Sequence, residues 1–178
     1  MDHWEIEETL KTFRVIVDSR EQMTPRAKER FKALGVPWER ATLSYGDYAA
    51  NVTLPGGQNL SDITDTLTPA CVIERKMSLD EVASCFTRSR DRFRKEFERA
   101  AAAGARVFLL IEDGSIEGIT NHRYKSRFNS TAFLASLFAW TIRYNLTPVM
   151  CRQGSSGRVI REILYRDIKE RLERGDYG

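Results

Sequence analysis

Histidine is nearly absent: His3 and His122 are the only two in 178 residues, so a histidine-rich metal centre is excluded. Cysteine is almost as scarce. Cys71, Cys85 and Cys151 are odd in number, lie far apart and form no C-x-x-C pair, which fits a reducing compartment and neither a disulfide framework nor a zinc site. No run of 18 apolar residues occurs, and the opening Met1-Asp2-His3-Trp4-Glu5 is acidic where a signal peptide would be basic and then apolar. The sequence therefore reads as a soluble intracellular protein, cytoplasmic (nuclear if eukaryotic), with no membrane partner. Net charge is only +3, so the distribution of charge, not its sum, must indicate the partner. A hydrophobic share of 42% and a charged share of 30% exclude disorder, and the length suits one domain with a sizeable core.

What is present alternates between strand and helix patterns. Phe13 to Val17 is a short apolar run ending in the polar Asp18-Ser19-Arg20-Glu21. Thr24-Pro25 predicts a helix start with proline at the first position, and Gly35 its end. Trp38 to Leu43 and Asp47 to Leu54 read as strands, Pro55 to Pro69 as a loop, and Ala70 to Lys76 as the next strand. Ser78 and Glu81 have the spacing of a capping box, opening one long helix to about Ala103. Arg106 to Glu112 is the continuous apolar run of a strand covered on both faces. An apolar helix over Phe133 to Tyr144, a short strand over Pro148 to Cys151 and a closing helix over Gly157 to Glu173 complete the chain. The fold class is α/β, a mixed sheet flanked by helices, in a single domain over residues 1–178 with its core at about 13–151.

Chemistry concentrates in Val72-Ile73-Glu74-Arg75-Lys76-Met77-Ser78-Leu79-Asp80. Alternate residues of a strand share a face, so Glu74 and Lys76 point together and Arg75 away. Asp47 in Gly46-Asp47-Tyr48 lies 27 positions upstream, at the start of another strand-like run. If the two strands are neighbours, Asp47 and Glu74 assemble a site for Mg²⁺ (Mn²⁺ can substitute), a cation that needs only one or two carboxylates beside its waters. The backbone carbonyl of Arg75 could complete the protein ligands. Lys76 would then orient or deprotonate the attacking water and offset charge on a phosphate. A surface ion pair at a strand end is the plainer alternative.

In order and spacing, Gly46-Asp47-Tyr48, then Glu74-Arg75-Lys76, then Asp80 four residues on, resemble the GDX(n)ERKX(3)D motif of the XPF family of structure-specific endonucleases. Val17-Asp18-Ser19-Arg20-Glu21 is similar to that family's first acidic element, and Phe108 to Glu112 to its strand after the long helix. The resemblance runs from about Phe13 to Cys151. It implies a restriction-endonuclease-like nuclease core and metal-dependent hydrolysis of DNA phosphodiesters, on branched, flapped or nicked DNA. It further implies metal binding by Asp47 and Glu74 with Glu21 and Asp18 completing the acidic cluster, a catalytic Lys76, and supporting roles for Arg75 and Asp80. Family enzymes often carry a tandem helix-hairpin-helix module, which is expected to be absent because the chain ends soon after the nuclease-like region. A catalytically silent DNA-binding or scaffold subunit is the alternative function.

Basic residues offer a DNA contact. Arg88, Arg92, Lys95 and Arg99 recur at spacings of four, three and four on the long helix, and Arg20 sits in the acidic element. Such a stripe gives sequence-independent affinity for phosphates, although Asp91, Glu96 and Glu98 would balance it as a solvated face. His122-Arg123-Tyr124-Lys125-Ser126-Arg127-Phe128 mixes bases and aromatics in a loop that could track a strand. Phe133, Leu134, Leu137, Phe138 and Trp140 serve either as core or as the face of a homodimer, and a DNA-targeting protein is the other candidate partner. A second Gly-Asp-Tyr, at Gly175-Asp176-Tyr177, has no lysine partner after it and reads as coincidence.

Overall fold

Strands and helices alternate as the sequence predicts in a computed structural model, which describes residues 1–176; Tyr177 of the second Gly-Asp-Tyr lies outside the described residues. In chain order the elements are α1 (His3–Leu10), β1 (Arg14–Asp18), α2 (Pro25–Leu34), β2 (Trp38–Leu43), β3 (Tyr48–Asn51), β4 (Thr66–Leu67) and β5 (Cys71–Lys76). Then follow α3 (Leu79–Phe86), α4 (Arg90–Ala102), β6 (Arg106–Glu112), α5 (Ile116–Thr120), α6 (Ser130–Arg143), β7 (Leu146–Cys151) and α7 (Gln153–Arg174). The described strands form one mixed sheet in the order β4-β2-β1-β3-β5-β6-β7. Only β3 runs against its neighbours, pairing antiparallel with β1 and with β5. Helices α3, α4 and α6 cover one face and α1, α2 and α7 the other, each over its own apolar cluster.

Local chemistry sets the ends. The Thr24 hydroxyl accepts the Ala27 N–H at 3.1 Å, Pro25 takes the first helical position, and Gly35 closes α2 at φ +66°. Helix α1 was not anticipated, although Asp2 and Glu5 form a complete capping box that its acidity concealed. At α3 the Ser78 hydroxyl accepts the Glu81 N–H, but Glu81 reaches back to the Met77 N–H rather than to that of Ser78.

The predicted long helix is two helices. Thr87 turns its hydroxyl back to the Ala83 carbonyl at 2.8 Å, and the Ser89 N–H bonds to the Ser84 carbonyl at 2.9 Å, so the chain leaves the helix at Thr87 and restarts at Arg90. Threonine and serine side chains compete with the backbone in this way. The break redirects α4 across the sheet, where Phe93 and Phe97 join Phe86, Phe133, Trp140 and Tyr144 in a cluster with ring centroids 4.4–6.3 Å apart. On the opposite face, α2 and α7 meet at Gly157. A Cβ there would lie 2.4 Å from the Arg30 carbonyl, so glycine is what lets α7 press α2 against the sheet and aim Arg30 at its end.

Candidate active site

Because β3 is antiparallel to β1 and β5, its first end lies beside the last ends of those two strands. Asp47, the residue before β3, therefore meets Asp18 at the end of β1 and Glu74–Lys76 at the end of β5, while parallel β6 brings Glu112 alongside. The backbone fixes Asp47 closely. Its N–H donates to the Ile73 carbonyl (2.8 Å), and its own carbonyl accepts the Asp18 N–H (2.9 Å). Gly46 makes the turn at φ +74°, and a Cβ there would strike the Val72 side chain at 2.2 Å.

Glu74 and Lys76 share the α4 face of β5. The Lys76 ammonium donates to Glu74 Oε1 and lies 5.0 Å from the centroid of the Phe93 ring. Asp47 Oδ2 accepts the backbone N–H of Arg75 at 2.7 Å. These groups open onto a cleft of about 580 Å³ whose walls also carry Arg20, Glu81, Arg92, Glu96 and Arg99.

Glu74 is 3% exposed, and its second oxygen, Oε2, is buried without a hydrogen-bond partner. Burial pushes the Glu74 carboxyl up to about 8, with the Asp47 charge adding to the rise, and burial pushes Asp47 up to about 6. Burial opposes the charge on Lys76 as well, but Glu74, with Cys85 and Asp47, outweighs it and keeps the ammonium above the usual lysine range. One lysine thus faces two carboxylates, Glu74 buried and Asp47 half-buried, and the partnerless Glu74 Oε2 suits a cation ligand. Hard oxygen donors of this kind fit Mg²⁺ or Mn²⁺. Among the described residues no three His, Cys, Asp or Glu side chains converge as an ion-holding group. Asp18 and Glu21 line the same cleft, but both are hydrogen-bonded to arginines, Asp18 to Arg20 and Glu21 to Arg30 and Arg75.

Metal-free protein should lose stability as pH rises. Asp47 and Glu74 start from 3.8 and 4.5 and are raised by folding, so the native state binds more protons than the unfolded chain in between. Their contribution is complete below about pH 4 and is lost as pH climbs through about 6 to 8, giving a falling Tm over that range. Thermal denaturation in EDTA across pH 5 to 9 should show this slope, and Glu74→Gln should flatten it; equal slopes would refute the assignment.

Arg75 points to the other face, as strand alternation requires. Its Nη2 lies 3.2 Å from Glu21 Oε1, which also receives Arg30 Nη1 (3.1 Å) and the Tyr48 hydroxyl (3.1 Å). Glu112, fully buried, accepts from Arg30 Nε (3.0 Å) and Arg26 Nη2 (2.7 Å), with Arg75 Nη1 at 3.5 Å. Burial works against the Glu112 charge, but Ser156 and Arg30, helped by Arg75, hold its carboxyl below the usual range. Asp18 is likewise engaged: both oxygens bind Arg20, at 2.7 and 3.0 Å, and Oδ2 takes the Leu43 N–H at 2.9 Å.

A family profile described as the ERCC4 domain matches residues 17–160. The chain belongs to the ERCC4 domain family. Among solved structures it is similar to XPF from Aeropyrum pernix, at 23% identity and a TM-score of 0.60, covering 92% of this chain and 69% of that one. It is also similar to XPF from Aeropyrum pernix in complex with DNA, at 26% identity and a TM-score of 0.59, covering 89% of this chain and 66% of that one. The ERCC4 domain thus spans about two thirds of the length of either relative. No curated protein matches it. The nuclease-domain fold of the XPF family, restriction-endonuclease-like, is the fold seen here.

Other anticipated residues of this ERCC4 domain take distinct places. Asp80 Oδ1 accepts the backbone N–H groups of Lys125 (2.8 Å) and Ser126 (2.7 Å), tying α3 to the loop between α5 and α6 instead of facing the cleft. That loop spends its aromatics on packing: His122 stacks on Tyr124 at 4.2 Å, and Tyr124 and Phe128 pack on Phe133. Of the basic stripe, Arg92 and Arg99 line the cleft, as does Arg20, whereas Arg88 is exposed in the α3–α4 turn and neither it nor Lys95 lines the wall. The helix break separates Arg88 from the other three, which all lie on α4. Sequence reasoning missed Arg26, Arg30, Tyr48, Glu96 and Glu112 as site residues. Only Glu112 carried a signal, a carboxylate closing an apolar strand as Glu74 nearly does.

Proposed function

We propose that this ERCC4 domain is a divalent-metal-dependent DNA endonuclease acting on branched, flapped or nicked DNA. The observation that supports it best is the convergence of Asp47, Glu74 and Lys76 on one cleft walled by Arg20, Arg92 and Arg99. Asp47 and Glu74 would hold Mg²⁺, with Mn²⁺ able to substitute. A cation there supplies a Lewis acid for the phosphate and an acidified water. The Lys76 ammonium, kept protonated by Glu74, is suited to donate to a phosphate oxygen and stabilise its growing charge, and unsuited to accept a proton. The arginines would carry the DNA backbone into the cleft, as befits a similarity to a protein solved with DNA. Phe138 and Ile142, exposed on α6, give a homodimer or a DNA-targeting protein an apolar surface to hold.

Labelled flap, fork, duplex and single-stranded DNA, each with Mg²⁺ or with EDTA, test this reading. Cleavage only with metal, and favouring the branched forms, is the expected result. Binding without cleavage would identify a silent DNA-binding subunit instead. Arg92→Ala with Arg99→Ala should weaken binding to all sequences alike and lower the salt slope by about 2, since each phosphate contact contributes roughly 0.9. An unchanged slope would place the DNA elsewhere.

A further inference from the structure

We infer that Glu96 on α4 is a positioning residue for the metal-binding carboxylate Asp47. The inference rests on the nuclease reading above and extends it to a residue that touches no reacting atom. Gly46 and Asp47 form the turn that presents the Asp47 side chain. Both main-chain polar groups of Asp47 are satisfied by strands: the N–H by Ile73 and the carbonyl by Asp18. The Gly46 N–H is satisfied differently. Its acceptor is Glu96 Oε1, at 3.0 Å, reaching across from the helix that carries Arg92 and Arg99 into the same cleft.

A carboxylate in a cleft meant for phosphates repels the substrate, so its presence calls for a compensating task. Holding the Asp47 turn is such a task. Groups that orient metal ligands typically contribute ten- to a hundredfold to metal affinity. Helix α4 is held to the sheet by Phe93 and Phe97, and Glu96, midway along it, adds a polar tie to the Asp47 turn. The N-cap residue of the helix, Ser89, makes no side-chain capping bond, and the Thr87 break uncouples it from α3. The Glu96–Gly46 bond therefore ties the arginine-bearing helix to the turn that carries Asp47, fixing the distance between bound phosphates and the ligand.

Glu96→Ala and Glu96→Gln separate the bond from the charge, because the glutamine amide oxygen still accepts a hydrogen bond. Three measurements are made on the whole chain: amide exchange of the 44–48 segment without metal, Mn²⁺ binding by electron paramagnetic resonance, and single-turnover cleavage with DNA affinity. Glu96→Ala is expected to speed exchange at 44–48, weaken Mn²⁺ binding about 10- to 100-fold and slow cleavage by a similar factor, with DNA binding unchanged or tighter. Glu96→Gln is expected to restore protection and most of the Mn²⁺ affinity. Wild-type exchange and Mn²⁺ affinity in Glu96→Ala would overturn the proposal, and so would a Glu96→Gln protein as impaired as Glu96→Ala. Should the unmodified protein neither bind Mn²⁺ nor cleave, the nuclease reading fails, while the exchange comparison still decides whether Glu96 holds the turn.

Discussion

Glu74→Gln and Lys76→Ala are each expected to reduce metal-dependent DNA cleavage by at least about 10²- to 10³-fold, the range seen when one preorganised charge-stabilising group is removed. The loss should fall on the cleavage step, with DNA affinity nearly unchanged, because the arginines proposed to hold phosphates, Arg20, Arg92 and Arg99, lie on other elements. The two variants should part company in stability. Glu74→Gln removes one of two like charges from a buried pair and should leave Tm unchanged or higher. Lys76→Ala strips Asp47 and Glu74 of the ammonium that compensates them and should lower Tm, most at alkaline pH. Single-turnover cleavage of a labelled flap, beside thermal denaturation in EDTA, reads both effects. Cleavage that survives Glu74→Gln at the original rate would remove Glu74 from the mechanism.

Glu112→Ala should be the most destabilising single change in the molecule. Glu112 is wholly buried, and Arg30, itself 4% exposed, would be left facing a cavity with Arg26 and Arg75, with only Glu21 remaining against Arg30 and Arg75. Removing one partner of a buried ion network costs about 3–5 kcal/mol. At about 2–4 °C per kcal/mol for a domain of this size, Tm should fall by roughly 10 °C. Activity at low temperature should fall too, because Arg75 joins this network by its side chain and holds Asp47 Oδ2 by its backbone N–H. The acid sensitivity of Glu112 is opposite in sign to that of the Asp47–Glu74 pair. Its carboxyl is depressed by folding, so its stabilisation is full above about pH 4.5 and is lost as pH falls through the folded value. A Tm within about 2 °C of wild type for Glu112→Ala would show that the network orders the site without supporting the fold.

Most of the strands and the faces of Glu74, Arg75 and Lys76 were legible in the sequence, because they depend on local periodicity. The run Arg106 to Glu112 matches β6 residue for residue, and alternation along β5 correctly set Glu74 and Lys76 against Arg75. Caps were legible where a side chain answers its own backbone, as at Thr24 and Ser78. The two-residue β4 and the five-residue α5 carry too little pattern to be read this way. The α3–α4 break is local in cause, the Thr87 hydroxyl and Ser89 N–H turning back to carbonyls of α3, yet went unread because threonine and serine are tolerated inside many helices.

Identity and order of the carboxylate and lysine residues were determined by the sequence alone, and with them the class of chemistry proposed. Whether Asp47 meets Glu74 was not, because 27 positions separate them and only the antiparallel pairing of β3 with β5 closes that gap. Tertiary structure also chose among the charges. It neutralised Asp18 with Arg20, drew Glu21 to Arg30, Arg75 and Tyr48, turned Arg88 away from the cleft and brought Glu96 to Gly46. A charged side chain looks the same in a sequence whether it is paired or free. Its partner, and hence its pKa and its role, is set by residues that become its neighbours only when the sheet and helices close around them.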